Sequence, residues 1–310
     1  MRMRWLALGA GTCWLALVVV VALVSDLGTA SAVLFAALGL MTIAGLVFVV
    51  SIPPRITSAA GRVIKAIPPP PPADAKVAAT LDEQVLAQVA SAVARAVDQD
   101  LKRTFRQTEA LQNLYAIIDF EHALPASRGW PASPDLLLLL VDLVDRHRPQ
   151  LVVECGSGLS TLCLALAMRR YGIDGKVIAL EHLEQYAAQT RELLERHGVA
   201  DLAEVRTAPI ETVEVGDGSA VWYARAAWED LTAVDLLFVD GPPSSLSPQS
   251  RYPSLPLFSE RLAPGAHVVL DDFQRAEERD VVKRWRSEYG DRLTLERVPL
   301  EKGAALLTFR

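Results

Sequence analysis

Apolar positions along the chain fall into three regimes. Residues 5–25 and 32–52 contain no charged side chain, and each run is about the length of a helix that crosses a bilayer. Residues 74–118 contain neither Pro nor Gly. Within them Leu81, Val85, Val89, Val93, Val97 and Leu101, then Leu111, Leu114 and Ile118, recur at helical spacing. From residue 133 onward, short apolar runs alternate with amphipathic ones. That pattern predicts strands at 151–154, 176–181, 203–207, 235–240, 266–271, 292–297 and 304–309. It predicts helices near 159–171, 184–197, 250–263 and 275–289, preceded by a helix in SPDLLLLLVDLVDRHRP with Ser133 as N-cap and Pro134 in its first turn. Strands alternating with helices imply an α/β domain. The expected fold is a Rossmann-like, doubly wound, mostly parallel seven-stranded sheet with helices on both faces.

The two uncharged runs predict a transmembrane helical hairpin joined by DLGTAS. Arg2 and Arg4 precede it, Arg55, Arg62 and Lys65 follow it, and the connector has no basic residue. The positive-inside rule then puts both ends in the cytoplasm, with the chain anchored in the inner cell membrane. A cleaved signal peptide is the other reading of the first run; the second run, with basic residues just after it, favours retention. Five prolines at 68–72 make a stiff extended spacer. The expected organisation is a hairpin over 1–67, a Pro-rich linker over 68–73, a helical connector over 74–120 and the α/β domain over 121–310. The connector's apolar stripe serves either as a homo-oligomer seam or as packing against the domain that follows.

Charge narrows the partners. The net charge is −6, yet residues 1–72 carry five basic side chains against one acid, so the rest is strongly acidic. No nucleic-acid partner is expected, because phosphate binding needs a basic surface. Three cysteines without a C-x-x-C pair give neither a disulfide framework nor a zinc site.

Chemistry gathers at the predicted strand ends, where doubly wound sheets bind ligands. After the first strand stand Glu154, Cys155, Gly156, Ser157 and Gly158. After the second stand Glu181 and His182. After the fourth stand Asp240, Gly241 and two prolines, and after the fifth Asp271 and Asp272. The glycines let backbone turn sharply and let a ligand approach main-chain amides. Glu181, 23 residues beyond Gly158, is spaced to accept hydrogen bonds from ribose hydroxyls. A nucleoside-bearing cofactor follows. GSGLST matches the dinucleotide fingerprint G-x-G-x-x-G except at its last position, where Thr161 stands, which weakens a NAD(P)-dependent oxidoreductase reading. A non-catalytic membrane scaffold with a vestigial pocket is the reading from another class.

ECGSGLST, ALEH, DLLFVDGPP and GAHVVLDDF together resemble the class I S-adenosylmethionine-dependent methyltransferases, and more narrowly the bacterial O-methyltransferase type called Methyltransf_24. The resemblance covers roughly 120–310. It implies a sheet ending in an antiparallel hairpin. It implies S-adenosylmethionine bound by Glu154, Gly156, Ser157 and Gly158, with Glu181 on the ribose and His182 and Ala208 near the adenine. It gives Asp240 to the methyl donor and acceptor as catalytic residue. Catechol-type relatives bind a divalent cation at the positions of Asp240, Asp271 and Asp272, so Mg²⁺ is a candidate cofactor. Arg251 and Tyr252 stand either against a polar acceptor or in a solvated loop. Trp222, Tyr223 and Trp228, in the insertion 211–230, form either an acceptor wall or a packed loop. Trp130 either lines the site or staples the following helix. The anchor points to a small-molecule or lipid-linked cell-envelope acceptor.

Overall fold

The computed structural model describes residues 83–125 and 132–310. The expected membrane hairpin, the linker 68–73 and Trp130 lie outside the described residues. Among the described residues, no helix is long and apolar enough to cross a membrane. The chain divides into two compact units, 1–100 and 101–310.

Helix α1, Glu83–Ile117, begins in the first unit and ends in the second. Its apolar stripe divides in two. Ala110, Leu114 and the following Ile118 are buried in the core of the second unit, whereas Leu101 and Phe105 are each 64 % exposed. The packing alternative therefore holds for the last turns of the helix.

The second unit contains a seven-stranded sheet in the order β3-β2-β1-β6-β7-β9-β8. Its strands are β1 Leu151–Cys155, β2 Lys176–Glu181, β3 Ala203–Thr207, β6 Val234–Val239, β7 Leu262–Leu270, β8 Leu293–Val298 and β9 Ala304–Phe309. β1 pairs in parallel with both β2 and β6, β2 with β3, and β6 with β7. β9 runs antiparallel to β7 and to β8, as the resemblance implied. The connection direction reverses between β1 and β6, which opens the crevice where ligands bind in such sheets.

The central strands are buried on both faces, and successive side chains point alternately into two separate cores. Val152, Val177 and Phe238 meet helices α2 (Pro134–His147), α3 (Leu159–Tyr171) and α4 (Glu184–Arg196). Val153, Ile178 and Leu237 face the other core, with Phe258 of α5 (Ser254–Phe258) and Val281 and Trp285 of α6 (Ala276–Tyr289). Asp235 ties off the lower edge: its Oδ2 accepts from the backbone N–H of Gln150 at 2.8 Å and of Leu151 at 2.9 Å.

Ser133 stands at the N-cap and Pro134 in the first turn, as expected, though the Ser133 hydroxyl donates to Asp135 Oδ1 and Asp135 takes the Leu136 N–H. Two local expectations are corrected. The helix expected over 250–263 shrinks to Ser254–Phe258, and β7 begins at Leu262. Pro253 and Pro256 lack the N–H groups a longer helix needs. The insertion 211–230 contains a β-hairpin, β4 Ile210–Val215 and β5 Gly218–Tyr223. Gly216 at φ 59° turns its two-residue loop. Trp222 and Trp228 pack with Phe258 in the core, so they form no acceptor wall.

Candidate active site

A cavity of 740 Å³ opens at the carboxyl ends of β1, β2 and β6. Its lining includes Glu154, Gly156, Ser157, Gly158, Glu181, His182 and Asp240, so seven of the eight residues expected at a cofactor meet there. Ala208 does not. It is fully buried in the core, and its N–H donates to the Glu181 carbonyl at 2.7 Å.

The β1–α3 turn is built on backbone that only glycine enters readily. Gly156 has φ 115° and Gly158 φ 147°. A Cβ on Gly158 would stand in open space, so the dihedral angle selects glycine there. Thr161 closes the turn: its Oγ1 accepts from the Gly158 N–H at 2.9 Å and donates to Glu154 Oε2 at 2.7 Å. Ser160 donates to the other Glu154 oxygen. The residue that departs from the dinucleotide fingerprint is thus the link between the turn and the buried acid. Burial pushes the Glu154 carboxyl up to about 8, although both hydroxyl donors work the other way.

Glu181 is nearly buried at the end of β2. Oε1 accepts from the Leu183 N–H at 3.0 Å and lies 3.0 Å from His182 Nδ1. Oε2 takes the Ser157 hydroxyl at 3.2 Å, and Ser157 also meets Thr190 Oγ1 at 3.1 Å. A carboxylate so oriented keeps lone pairs for two adjacent hydroxyls at the cavity wall.

Helix α4 supplies lining that strand-end reasoning missed: Tyr186, Gln189, Thr190 and Leu193. Their spacing of three and four places them on one helix face, the only sequence signal they carried. Tyr223, expected with the two tryptophans of the insertion either at an acceptor wall or in a packed loop, does reach the cavity. It is 1 % exposed yet borders the cavity, and its hydroxyl presses on Gly241. Burial pushes its phenol well above the ordinary range.

Asp240, Asp271 and Asp272 do converge, with one oxygen from each within 4.8 Å of the others. The group does not fit a divalent cation, because Arg251 is already inserted among these acids. Its Nη2 lies 3.1 Å from Asp240 Oδ1 and 3.0 Å from Asp272 Oδ2, and its Nη1 donates to the Asp271 carbonyl at 3.0 Å. Burial works against the charged guanidinium, but Asp240, Asp272, Asp271 and Glu278 together outweigh it and hold Arg251 protonated. A divalent ion about 4 Å from that guanidinium would meet about 8 kcal/mol of repulsion at an effective dielectric constant of about 20. Neither alternative for Arg251 and Tyr252, a polar acceptor or a solvated loop, describes them: both are buried, Arg251 serves the acid cluster, and the Tyr252 hydroxyl donates to Glu288 at 2.9 Å. Burial raises both Asp240 and Asp271, the latter to about 8. Neither Asp271 nor Asp272 lines the cavity.

Residues 153–273 match the family model described as Methyltransferase domain, Methyltransf_24. No curated protein matches the sequence. Among solved structures, the O-methyltransferase from Bacillus cereus in complex with SAH is 22% identical, over 66% of this chain and 90% of that one, with a TM-score of 0.44. Cofactor-bound Rv0187 from MTB is 24% identical over 69% and 96%, TM-score 0.44. The O-methyltransferase TomG from Streptomyces achromogenes in complex with SAM is 19% identical over 66% and 88%, TM-score 0.40. The match over 153–273 falls on β1, the glycine turn, Glu181, Asp240 and the Asp271–Asp272 pair, so the site just described is the part of the chain that is similar to a methyltransferase domain.

Proposed function

We propose that this chain transfers a methyl group from S-adenosylmethionine to a hydroxyl oxygen of a small or lipid-linked acceptor at a membrane surface. The observation that carries the reading is the cavity that has Glu181 on one wall and Asp240 on another, over the paired glycines. In this reading Glu181 accepts from the ribose hydroxyls, and His182 and Tyr186 border the adenine. The backbone of Gly156–Gly158 lies along the methionine portion, and Asp240 stands at the acceptor end.

When bound, S-adenosylmethionine supplies a methyl group on an electrophilic sulfonium. The acceptor oxygen forms its bond to that carbon as the carbon–sulfur bond breaks, leaving S-adenosylhomocysteine; the hydroxyl proton goes to a base. Asp240 is the carboxylate placed to take it, and its raised affinity for protons makes it a better base than an ordinary aspartate. The remaining contribution of the protein is alignment, which in-line transfer rewards strongly.

Membrane anchoring rests on the uncharged runs 5–25 and 32–52 and the basic residues that flank them. Exposed Leu246 at the cavity, six residues beyond Asp240, suits an acceptor with apolar surface. Self-association through the exposed part of the α1 stripe, Val93 to Phe105, belongs to the same reading.

Calorimetric titration of the full chain with S-adenosylmethionine tests the core of it. Saturable binding that weakens at least tenfold in Glu181→Ala is expected. Equal affinity in the variant removes Glu181 from the ribose, and transfer only to amines in an acceptor screen removes the O-methyl assignment.

A further inference from the structure

We propose that Arg251 is the built-in cation of the Asp240–Asp271–Asp272 cluster, occupying the place of a divalent ion, so that Asp240 is oriented by a guanidinium and the site works without metal. The last clause rests on the methyltransferase reading; the occupancy itself does not.

The contacts are those of a resident group. Arg251 has 6 % of its side chain exposed, as has Asp272. Its Nη2 reaches the carboxylates of Asp240 and Asp272 and also the Asp240 carbonyl at 3.1 Å, which fixes the fork against both strand ends at once. Asp272 adopts φ 60°, a left-handed backbone that turns the chain back just where the Asp271 carbonyl meets Nη1. The loop that carries the arginine is tied on both flanks. The Ser250 hydroxyl donates to the Pro242 carbonyl at 2.8 Å, and Trp285 Nε1 donates to the Tyr252 carbonyl at 2.9 Å. Arg275 joins from the solvent side, 3.0 Å from Asp272 Oδ2. Asp271 Oδ2 and Glu278 Oε2 keep no hydrogen-bond partner. Removal of the guanidinium would therefore leave at least three carboxylates facing one space, a hard-oxygen donor set suited to Mg²⁺ or Mn²⁺. Arg251 acts through Asp240 and is a positioning residue.

The test is Mn²⁺ binding, followed by electron paramagnetic resonance of the full chain, on wild type, Arg251→Lys, Arg251→Met and Arg251→Met with Asp271→Asn. Wild type and Arg251→Lys are expected to hold no Mn²⁺ at this cluster. Arg251→Met is expected to gain one site, with at least a hundredfold tighter binding, which Asp271→Asn removes. Stoichiometric binding by wild type that Asp271→Asn abolishes overturns the proposal, and so does a folded Arg251→Met that gains no ion. If Arg251→Met fails to fold by circular dichroism, Arg251→Gln takes its place. If neither neutral variant folds, the wild-type and Arg251→Lys spectra decide alone. For catalysis, wild-type turnover unchanged by a chelator is expected, with Arg251→Lys lowering kcat while leaving the KM for S-adenosylmethionine within about twofold. Loss of turnover on chelation overturns the metal-free clause. Absence of S-adenosylmethionine binding would instead fail the functional reading and leave the Mn²⁺ result standing.

Discussion

Glu154→Gln should flatten the pH dependence of stability. The acid is 1 % exposed at the end of β1, and its carboxyl is carried from 4.5 to about 8, chiefly by burial. Below the lower value both folded and unfolded chains hold the proton, and the full stability is present. As pH rises toward 8, the unfolded chain ionises while the folded one does not, so stability falls; above about 8 the loss is complete. At about 1.4 kcal/mol per pH unit the ceiling is about 5 kcal/mol. Glu154 borders the cavity, where water can relieve part of the burial, so a loss of about 2–5 kcal/mol is expected. Glutamine never ionises, and the Ser160 and Thr161 hydroxyls can each turn to pair with its oxygen or its amide. Asp271, also raised to about 8, remains in the variant and keeps part of the slope. The assay is urea unfolding followed by tryptophan fluorescence at pH 5 and pH 8.5, reported by the buried Trp222 and Trp285. Wild type should lose more stability between the two than Glu154→Gln does. Parallel losses would refute the assignment of a buried, protonated Glu154.

Other perturbations are equally direct. Gly241→Ala should destabilise by about 1–3 kcal/mol, because its new Cβ runs into the Tyr223 hydroxyl and lies 3.2 Å from the Cys155 carbonyl; Tyr223→Phe should restore part of that in a thermal double-mutant cycle, and strict additivity would sink the idea. Asp235→Ala strips the acceptor from two backbone N–H groups below β1, with an expected loss of about 1–3 kcal/mol in chemical denaturation. Thr161→Val keeps the shape but removes the link between Gly158 and Glu154; S-adenosylmethionine affinity should fall by about tenfold in titration, whereas unchanged affinity would show that the glycine turn holds itself.

The sheet was legible because buried parallel strands read as short apolar runs bounded by turn residues. Its seven strands lie within a few residues of their expected positions, apart from the start of β7. The first strand-end motif was legible too, because its glycine pair follows an apolar strand and precedes Glu181 by the spacing of a ribose-binding acid. The β4–β5 hairpin was missed although Glu211-Thr212-Val213-Glu214-Val215 alternates with period two and Gly216-Asp217 is a turn signal. Its tryptophans drew attention to an acceptor instead, when their large apolar surface needed burial.

What the sequence determined by itself was local: which segments form strands, where glycine is required, and which acids stand at strand ends, since these follow from spacing along one chain. Which acids face the cavity, and what stands beside them, depended on tertiary structure. Asp240 and Asp271 look equivalent as strand-end acids, yet only Asp240 reaches the cavity. Arg251, eleven residues beyond Asp240 in a Ser- and Pro-rich loop, carried no sign that it would enter the cluster. Its place was decided by the folding of that loop over β6 and β7, because a buried group of carboxylates must find positive charge, and Arg275 reaches Asp272 while Arg251 also reaches Asp240.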